Sequence, residues 1–260
     1  MTKTFDQLSH FEKIESYIPI DLISFEGAVV GFLFLFFVVS FRYFLISAPL
    51  YFLLWKSDLM KTSAVHNLRI KPGQIKSEIK WSLIASFIFA FTALVTGVLW
   101  QQGYTKIYVV FSSQDWWYVP LSFSTLLVVH ELYFYFTHVW MHQPRVFKAV
   151  HQIHHRSVKP SPFASFSFHP YETLVHAAFL PVMVLILPLH PLTLIAYMTL
   201  MTLAAVSNHS GFEVLHPKFL RKFLISGEHH NAHHKHYTCN FGLYFCLIDQ
   251  IFKTEKESPA

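Results

Sequence analysis

Histidine is the residue type here whose number and spacing could do chemistry. Of 18 histidines in 260 residues, 16 fall between His130 and His236. Three local patterns stand out: His138-x3-His142 in HVWMH, His151-x2-His154-His155 in HQIHH, and His230-x2-His233-His234 in HNAHH. On a helix, residues three and four apart share a face, with Cβ atoms ~5–6 Å apart, so two imidazoles spaced this way can grip one metal ion. The third histidine of each HxxHH can do the same. Eight imidazoles exceed what one four-coordinate zinc accepts, and no HExxH occurs to supply a general base for metal-assisted hydrolysis, so the pattern predicts a two-metal centre. Imidazole suits iron, copper, zinc or nickel, and spacing does not choose among them. The competing reading is a His-rich metal-buffering loop, which would be exposed and low in complexity.

The elements that must carry these histidines are apolar. The chain is 53% hydrophobic, 18% aromatic and 13% charged, against roughly 25% charged in an average soluble domain. Its 28 Phe and only 8 Gly exclude a disordered or collagen-like chain. A net charge of +5 needs no nucleic acid, because membrane proteins collect Lys and Arg on their cytoplasmic side. The polar, mildly acidic Met1 to Glu26 lacks the basic start of a cleaved signal peptide. Gly27 to Trp55 is the first apolar tract, interrupted by Arg42, which is expected to reach an interface by snorkelling. Trp81 to Trp100 is the cleanest span, uncharged with Trp at each end, as expected for rings in two headgroup regions. A third tract runs from Trp117 to about Thr137. A fourth region, Leu174 to Leu187 and Leu192 to Val206, is broken by Pro188, His190 and Pro191, and reads as either a tight hairpin with borrowed flanks or a re-entrant pair.

Either arrangement returns the chain to the side it left, so all three histidine patterns share one face. On this topology 16 Lys and Arg lie on the histidine side and three, Lys3, Lys13 and Lys106, on the other. The excess places the histidine face in the cytoplasm and the N-terminus outside; were the first tract a shallow hairpin, the N-terminus alone would change side. The expected fold is all-α: an integral membrane helical bundle of about four spans with a cytoplasmic histidine-rich helical cap. It forms one domain over residues 1–260, with a transmembrane frame at 25–137 and 174–206 and a histidine-rich catalytic face at 138–172 and 207–252.

Glu131 lies seven residues before His138, two turns away on about the same face and near the end of an apolar tract. An ionisable group there is functional by default. It could accept a hydrogen bond from a ligand imidazole and fix the ring, or pair with Arg or Lys at the interface. His130 beside it reads as a structural partner. Cys239 and Cys246, the only cysteines, read as buried thiols, since their spacing fits neither a disulfide scaffold nor a CxxC site.

The order ELYFYFTHVWMH, VHQIHHRSVKPSPFASFSFHPYE, NHSGFEV and HHNAHHKHYTCNFG resembles the fatty acid hydroxylase and sterol desaturase superfamily of integral-membrane enzymes, C4-methylsterol oxidases among them. The similarity covers roughly Glu131 to Phe252. It implies two iron ions held by histidines, with O2 as co-substrate, and oxidation of an unactivated C–H bond of a sterol-like or long-chain lipid. Carried over by position, the ligands are His138, His142, His151, His154, His155, His230, His233 and His234. The resemblance adds His209, whose alternative is a helix-end cap or a pair with Asn208. It also implies site roles for Glu131, at a position where the family often carries Asp, for His169 as a loop-fixing group in SFHPYE, and for Asn208 in NHSG. His229 and His236 flank the last pattern as ligands or as solvated neighbours. In the tail FCLIDQIFKT, Ile248, Gln250 and Lys253 depart from the family's pattern, which loosens the subfamily assignment.

A lipid substrate would enter sideways from the bilayer, along a passage that aromatic residues of Leu132 to Phe136 and Phe163 to Phe168 could line. Reduction of O2 needs electrons, and the chain shows no GxGxxG cradle or HPGG-like haem motif, so the expectation is a separate donor of cytochrome b5 or ferredoxin type. Lys218, Arg221 and Lys222 could dock such a carrier or anchor at an anionic leaflet. The expected location is the inner membrane of a bacterium or the endoplasmic reticulum of a eukaryote. The alternatives are a desaturase of the same superfamily and a non-enzymatic metal transport or storage protein. A transporter should carry ionisable residues deep in several spans, and the tract centres here are almost free of them.

Overall fold

A computed structural model describes residues 19–57, 64–65, 70–113, 115–214 and 218–256. Among these residues the structure is helical, with isolated β-bridges and no named strand. Most of the N-terminal segment, with Lys3 and Lys13, lies outside the described residues, as does the Lys218 side chain.

Three long helices form the frame: α1 Phe25–Trp55, α2 Gln74–Gln101 and α3 Asp115–Met141. Ser24 starts α1, its hydroxyl accepting from the Gly27 N–H at 3.1 Å, a side-chain cap for a donor that has no partner within the helix. At ~1.5 Å per residue each helix exceeds a ~30 Å hydrocarbon core, and each exposes large apolar side chains, among them Phe34, Phe37, Phe87, Phe91 and Val128. Lipid is the solvent for such a surface. α3 continues past Thr137 to Met141, so His138 belongs to the membrane helix itself.

The fourth region is a hairpin with borrowed flanks. α5 Pro170–Ile186 begins at the capping His169, and α6 Pro191–Asn208 begins at the capping His190. Their 17 and 18 residues give ~26–27 Å, close to a full crossing. The hairpin tip joins the connection between α2 and α3: the Lys106 N–H donates to the Val184 carbonyl at 2.8 Å and Leu189 bridges Ile107. Both turns therefore lie at the end of the bundle away from the histidines. Four helices, α1, α2, α3 and α6, are long and apolar enough to span, with α5 as a shorter apolar helix, and the chain is a multi-pass integral membrane protein.

The cap is built from α4 Pro144–Val150, short 3-10 turns at His154–Arg156, Pro162–Phe166 and Lys218–Lys222, α7 Gly227–His236 and α8 Cys246–Ile251. Polar ties fasten it to the frame. Glu78 of α2 accepts from the Ser157 and Ser161 hydroxyls. Tyr43 and Ser82 both donate to the Phe163 carbonyl, at 2.9 and 3.0 Å, and the Trp55 indole donates to the Ser210 carbonyl at 2.8 Å.

Arg42 lies well inside α1 and lines a cavity between helices, partly exposed and with its Nε buried. Cys239 and Cys246 are buried free thiols. Arg221 sits 3.7 Å from Glu213 and 3.9 Å from Glu228, so one of the three basic residues of its segment already faces carboxylates.

Candidate metal centre

All nine histidines singled out in the sequence converge, in two adjoining groups. One holds His138, His142, His151, His155 and His233, and the other His154, His209, His230 and His234. Within each group the ligand-capable atoms lie within 4.8 Å of one another. Eight of the nine are at most 4% exposed, and His142 is partly exposed. That burial is incompatible with a solvated buffering loop.

The grouping does not follow the three motifs one by one. Pairs four residues apart, His138/His142, His151/His155 and His230/His234, each stay within one group. The histidine at the third step, His154 or His233, crosses to the other. In α7 the reason is helical geometry. Steps of ~100° per residue put His230 and His234 ~40° apart, whereas His233 points ~100° from His234. One short helix thus serves both groups.

The nitrogen contacts fit a shared ion better than hydrogen bonding. His155 Nε2 lies 3.1 Å from Nε2 of His142, His151 and His233. A neutral imidazole nitrogen carries at most one proton, so the three contacts cannot all be hydrogen bonds. Donors at right angles around an ion at a metal–imidazole distance of ~2.0–2.1 Å stand ~2.8–3.0 Å apart, close to what is seen. In the second group His209 Nε2 lies 3.1 Å from His154 Nε2 and 3.0 Å from His230 Nε2. Both ring nitrogens of His234 are buried without a hydrogen-bond partner. Buried polar atoms are rarely left so, and a metal ion on one of them removes the anomaly.

Backbone and carboxylate acceptors set the ring orientations. Nδ1–H of His138 donates to the Phe241 carbonyl at 2.8 Å and that of His233 to the Cys239 carbonyl at 2.8 Å. His209 donates to the Ala205 carbonyl of its own helix at 2.7 Å, and His151 to Glu172 Oε1 at 2.7 Å. Each bond fixes the tautomer that leaves Nε2 as a lone-pair donor toward the group centre. Burial holds His151 down to about 3 and His209 down to about 4. Burial, then neighbouring imidazoles, keeps His154, His155, His230, His233 and His234 well below the ordinary histidine value. Near neutral pH these rings are uncharged, the form that binds metal.

The remaining expected residues sit around the groups. Glu131 does not reach an imidazole: its carboxylate accepts the backbone N–H groups of Leu243, Tyr244 and Phe245, the Tyr244 bond at 2.8 Å. Asn208 donates to the Leu243 carbonyl at 2.9 Å. His169 caps α5, its Nδ1 accepting from the Tyr171 N–H at 3.3 Å, and stands outside both groups. His130 Nδ1 meets the Tyr244 hydroxyl at 2.9 Å. His229 lies 3.5 Å from Asp249, and neither it nor His236 joins the nine.

Sequence reasoning missed Glu172, Asp249 and the loop they help to frame. Asp249 accepts the N–H groups of Phe241 and Gly242 at 2.8 and 2.9 Å and the Thr254 hydroxyl at 2.7 Å. Loop 239–245 thus turns its amides to Glu131 and Asp249 and its carbonyls to His138 and His233. Gly242 is required there, since a Cβ would stand 2.9 Å from Glu131 Oε1 and 3.0 Å from the Phe245 carbonyl. Only the motif ending HPYE, in which Glu172 closes the run that holds His169, carried a local hint of the buried acid.

Beneath the histidines lies an apolar cavity of about 60 Å³ lined by Phe134, Phe166 and Phe168 together with His138, His154 and His209. These aromatics come from the two segments expected to border a passage. Leu132 and Phe136, from the same segments, face outward.

Glu172→Gln is expected to weaken metal binding about 10–100-fold, because the amide still accepts from His151 but no longer as an anion. Competition with a chelator measures this, and unchanged affinity would remove Glu172 from the ligand-orienting set.

A fatty acid hydroxylase family profile matches residues 123–254. The chain is 27% identical over 191 residues to a Delta(7)-sterol 5(6)-desaturase of Gibberella zeae, covering 74% of this chain and 59% of that protein. It is 28% identical to the lathosterol oxidase of Mus musculus, over 80% of this chain and 69% of the relative. It is 27% identical to methylsterol monooxygenase 1 of Gallus gallus, over 69% and 61%. The chain thus spans about three fifths of the length of the fungal desaturase. No solved structure matches.

Proposed function

Because the chain belongs to the fatty acid hydroxylase family, we propose that it is a membrane-bound two-iron oxidase of a lipid C–H bond, using O2 and electrons from a separate cytochrome b5-type or ferredoxin-type donor. The observation that carries this reading is the joining of nine imidazoles, eight of them buried, in groups of five and four, directly above an apolar cavity between membrane helices. In this reading His138, His142, His151, His155 and His233 hold one ion, and His154, His209, His230 and His234 the other. Iron bound there supplies the O2-activating redox chemistry that no side chain in the site can provide.

The chain's own residues do the rest. Phe241, Cys239, Ala205 and Glu172 keep the ligand rings turned inward, which spares reorganisation when metal binds. Phe134, Phe166 and Phe168 keep the cavity free of water and hold the lipid so that one carbon faces the histidines, and that placement selects the bond attacked. Glu131 and Asn208 act as positioning residues through loop 239–245, and His169 fixes the start of α5. The excess of Lys and Arg on the histidine side orients the site toward the cytoplasm, in the inner membrane of a bacterium or the endoplasmic reticulum of a eukaryote.

Three relatives named as desaturase, oxidase and monooxygenase leave hydroxylation and desaturation as the two outcomes of one site. The deciding experiment is lipid profiling of cells with and without the gene, followed by turnover of the affected lipid with iron-loaded protein. A product heavier by one oxygen assigns hydroxylation, and one lighter by two hydrogens assigns desaturation. An unchanged lipid profile together with no turnover would overturn the proposal.

A further inference from the structure

A second, larger cavity lies deeper between α1, α2, α5 and α6. It measures about 190 Å³ and shares Phe89, Phe166, His176 and Met201 with the smaller cavity beneath the histidines. The two form adjoining chambers of one apolar passage. Its wall contains one unmatched cation among the described residues, Arg42 of α1, whose buried Nε has no hydrogen-bond partner. The two threonines of the same wall are already satisfied: Thr92 donates to the Phe89 carbonyl at 2.9 Å and Thr96 to the Thr92 carbonyl at 2.8 Å.

Arg42 is partly exposed, but its Nε is shut away from solvent without a partner; that is costly, and an ionisable group within a membrane-spanning helix marks a binding function. The complement that removes the cost is an anion. A planar two-oxygen carboxylate matches the guanidinium fork with two parallel hydrogen bonds. The chamber that Arg42 lines reaches His176 and Met201, which also line the cavity beneath the histidines, so an anion held at Arg42 shares one apolar passage with them.

We propose that Arg42 binds the carboxylate of a long-chain lipid whose chain runs through both chambers. The assignment names a substrate class and so rests on the oxidase reading, but Arg42 is a binding residue whose role is measurable without turnover.

The test compares palmitate with methyl palmitate, which has the same chain without the negative charge. Each is titrated against metal-loaded protein in nanodiscs, and retained lipid is quantified by mass spectrometry against empty nanodiscs. The wild type is expected to retain palmitate about tenfold or more tightly over the ester, the worth of a charge-assisted hydrogen-bonded pair, and Arg42→Met to bind both alike. Equal retention by the wild type, or a preference that survives in Arg42→Met, would overturn the assignment. The wild-type comparison stands even if the variant is not recovered. Loss of discrimination alongside lipid oxidation sinks this inference alone, and discrimination without any oxidation product sinks the oxidase reading alone.

Discussion

Replacing His154 with alanine is expected to reduce product formation about a thousandfold or more, equivalent to ~4 kcal/mol of barrier, and to lower bound metal from two ions per chain to about one. His154 belongs to the group of four, with its Nε2 3.1 Å from His209, while its neighbour His155 belongs to the group of five. The substitution therefore takes a donor from one site and leaves the other complete. The fold should survive it, because His154 Nδ1 holds no hydrogen bond whose loss would strand a partner. Circular dichroism and metal analysis on the same preparation separate the effects. Turnover at the wild-type rate would remove His154 from the site, and loss of all metal with the fold kept would show that the two groups do not bind separately.

Glu131→Ala is expected to act through structure and with comparable effect. It strands the Leu243, Tyr244 and Phe245 amides, which the carboxylate now accepts in a buried setting. Unpaired buried donors cost ~1–3 kcal/mol each, so a loss of about 3–5 kcal/mol is expected. The same loop carries the carbonyls that orient His138 and His233, so metal affinity should fall along with thermal stability. Glu131→Gln retains one acceptor oxygen and should lie between the two. A Glu131→Ala protein that melts and binds metal like the wild type would show that the loop is held by Asp249 and Asn208 without it.

The frame was legible in the sequence because hydrocarbon imposes a length and a composition on anything that crosses it. Trp81 to Trp100 lies within α2, and the proline-broken fourth region resolves into α5 and α6 once Pro170 and Pro191 are seen at helix starts. Eight of the nine converging histidines were legible because imidazoles one turn apart announce themselves locally, and His209 only through the family resemblance. What spacing could not show was how the rings divide. In α7 that depends on angular steps around the helix, and at His154 it depends on a change from α-helix to a 3-10 turn after Val150.

The partners of Glu131 are hidden from spacing for a related reason. Seven residues separate it from His138 by ~10 Å along the axis, and the groups it serves lie more than a hundred residues away in the chain. The carboxylate–loop frame is wholly non-local, and no pattern of spacing within a helix reports it. Sequence alone suggests an interfacial place for Arg42, because charge in an apolar tract usually lies near an end. Its place beside a cavity follows from how α1 packs with α2 and α6.

The metal-transport alternative weakens once the buried acids are located. Glu78 is held by Ser157 and Ser161, Glu131 by backbone amides and Glu172 by His151. Each belongs to a fixed structural contact, whereas a transport path needs groups free to exchange an ion.

The metal content of the purified, iron-loaded wild-type protein tests the central claim most directly. Two irons per chain, falling to about one in the His154→Ala variant, is the predicted result. One iron or none in the wild type, under conditions that saturate binding, would contradict it.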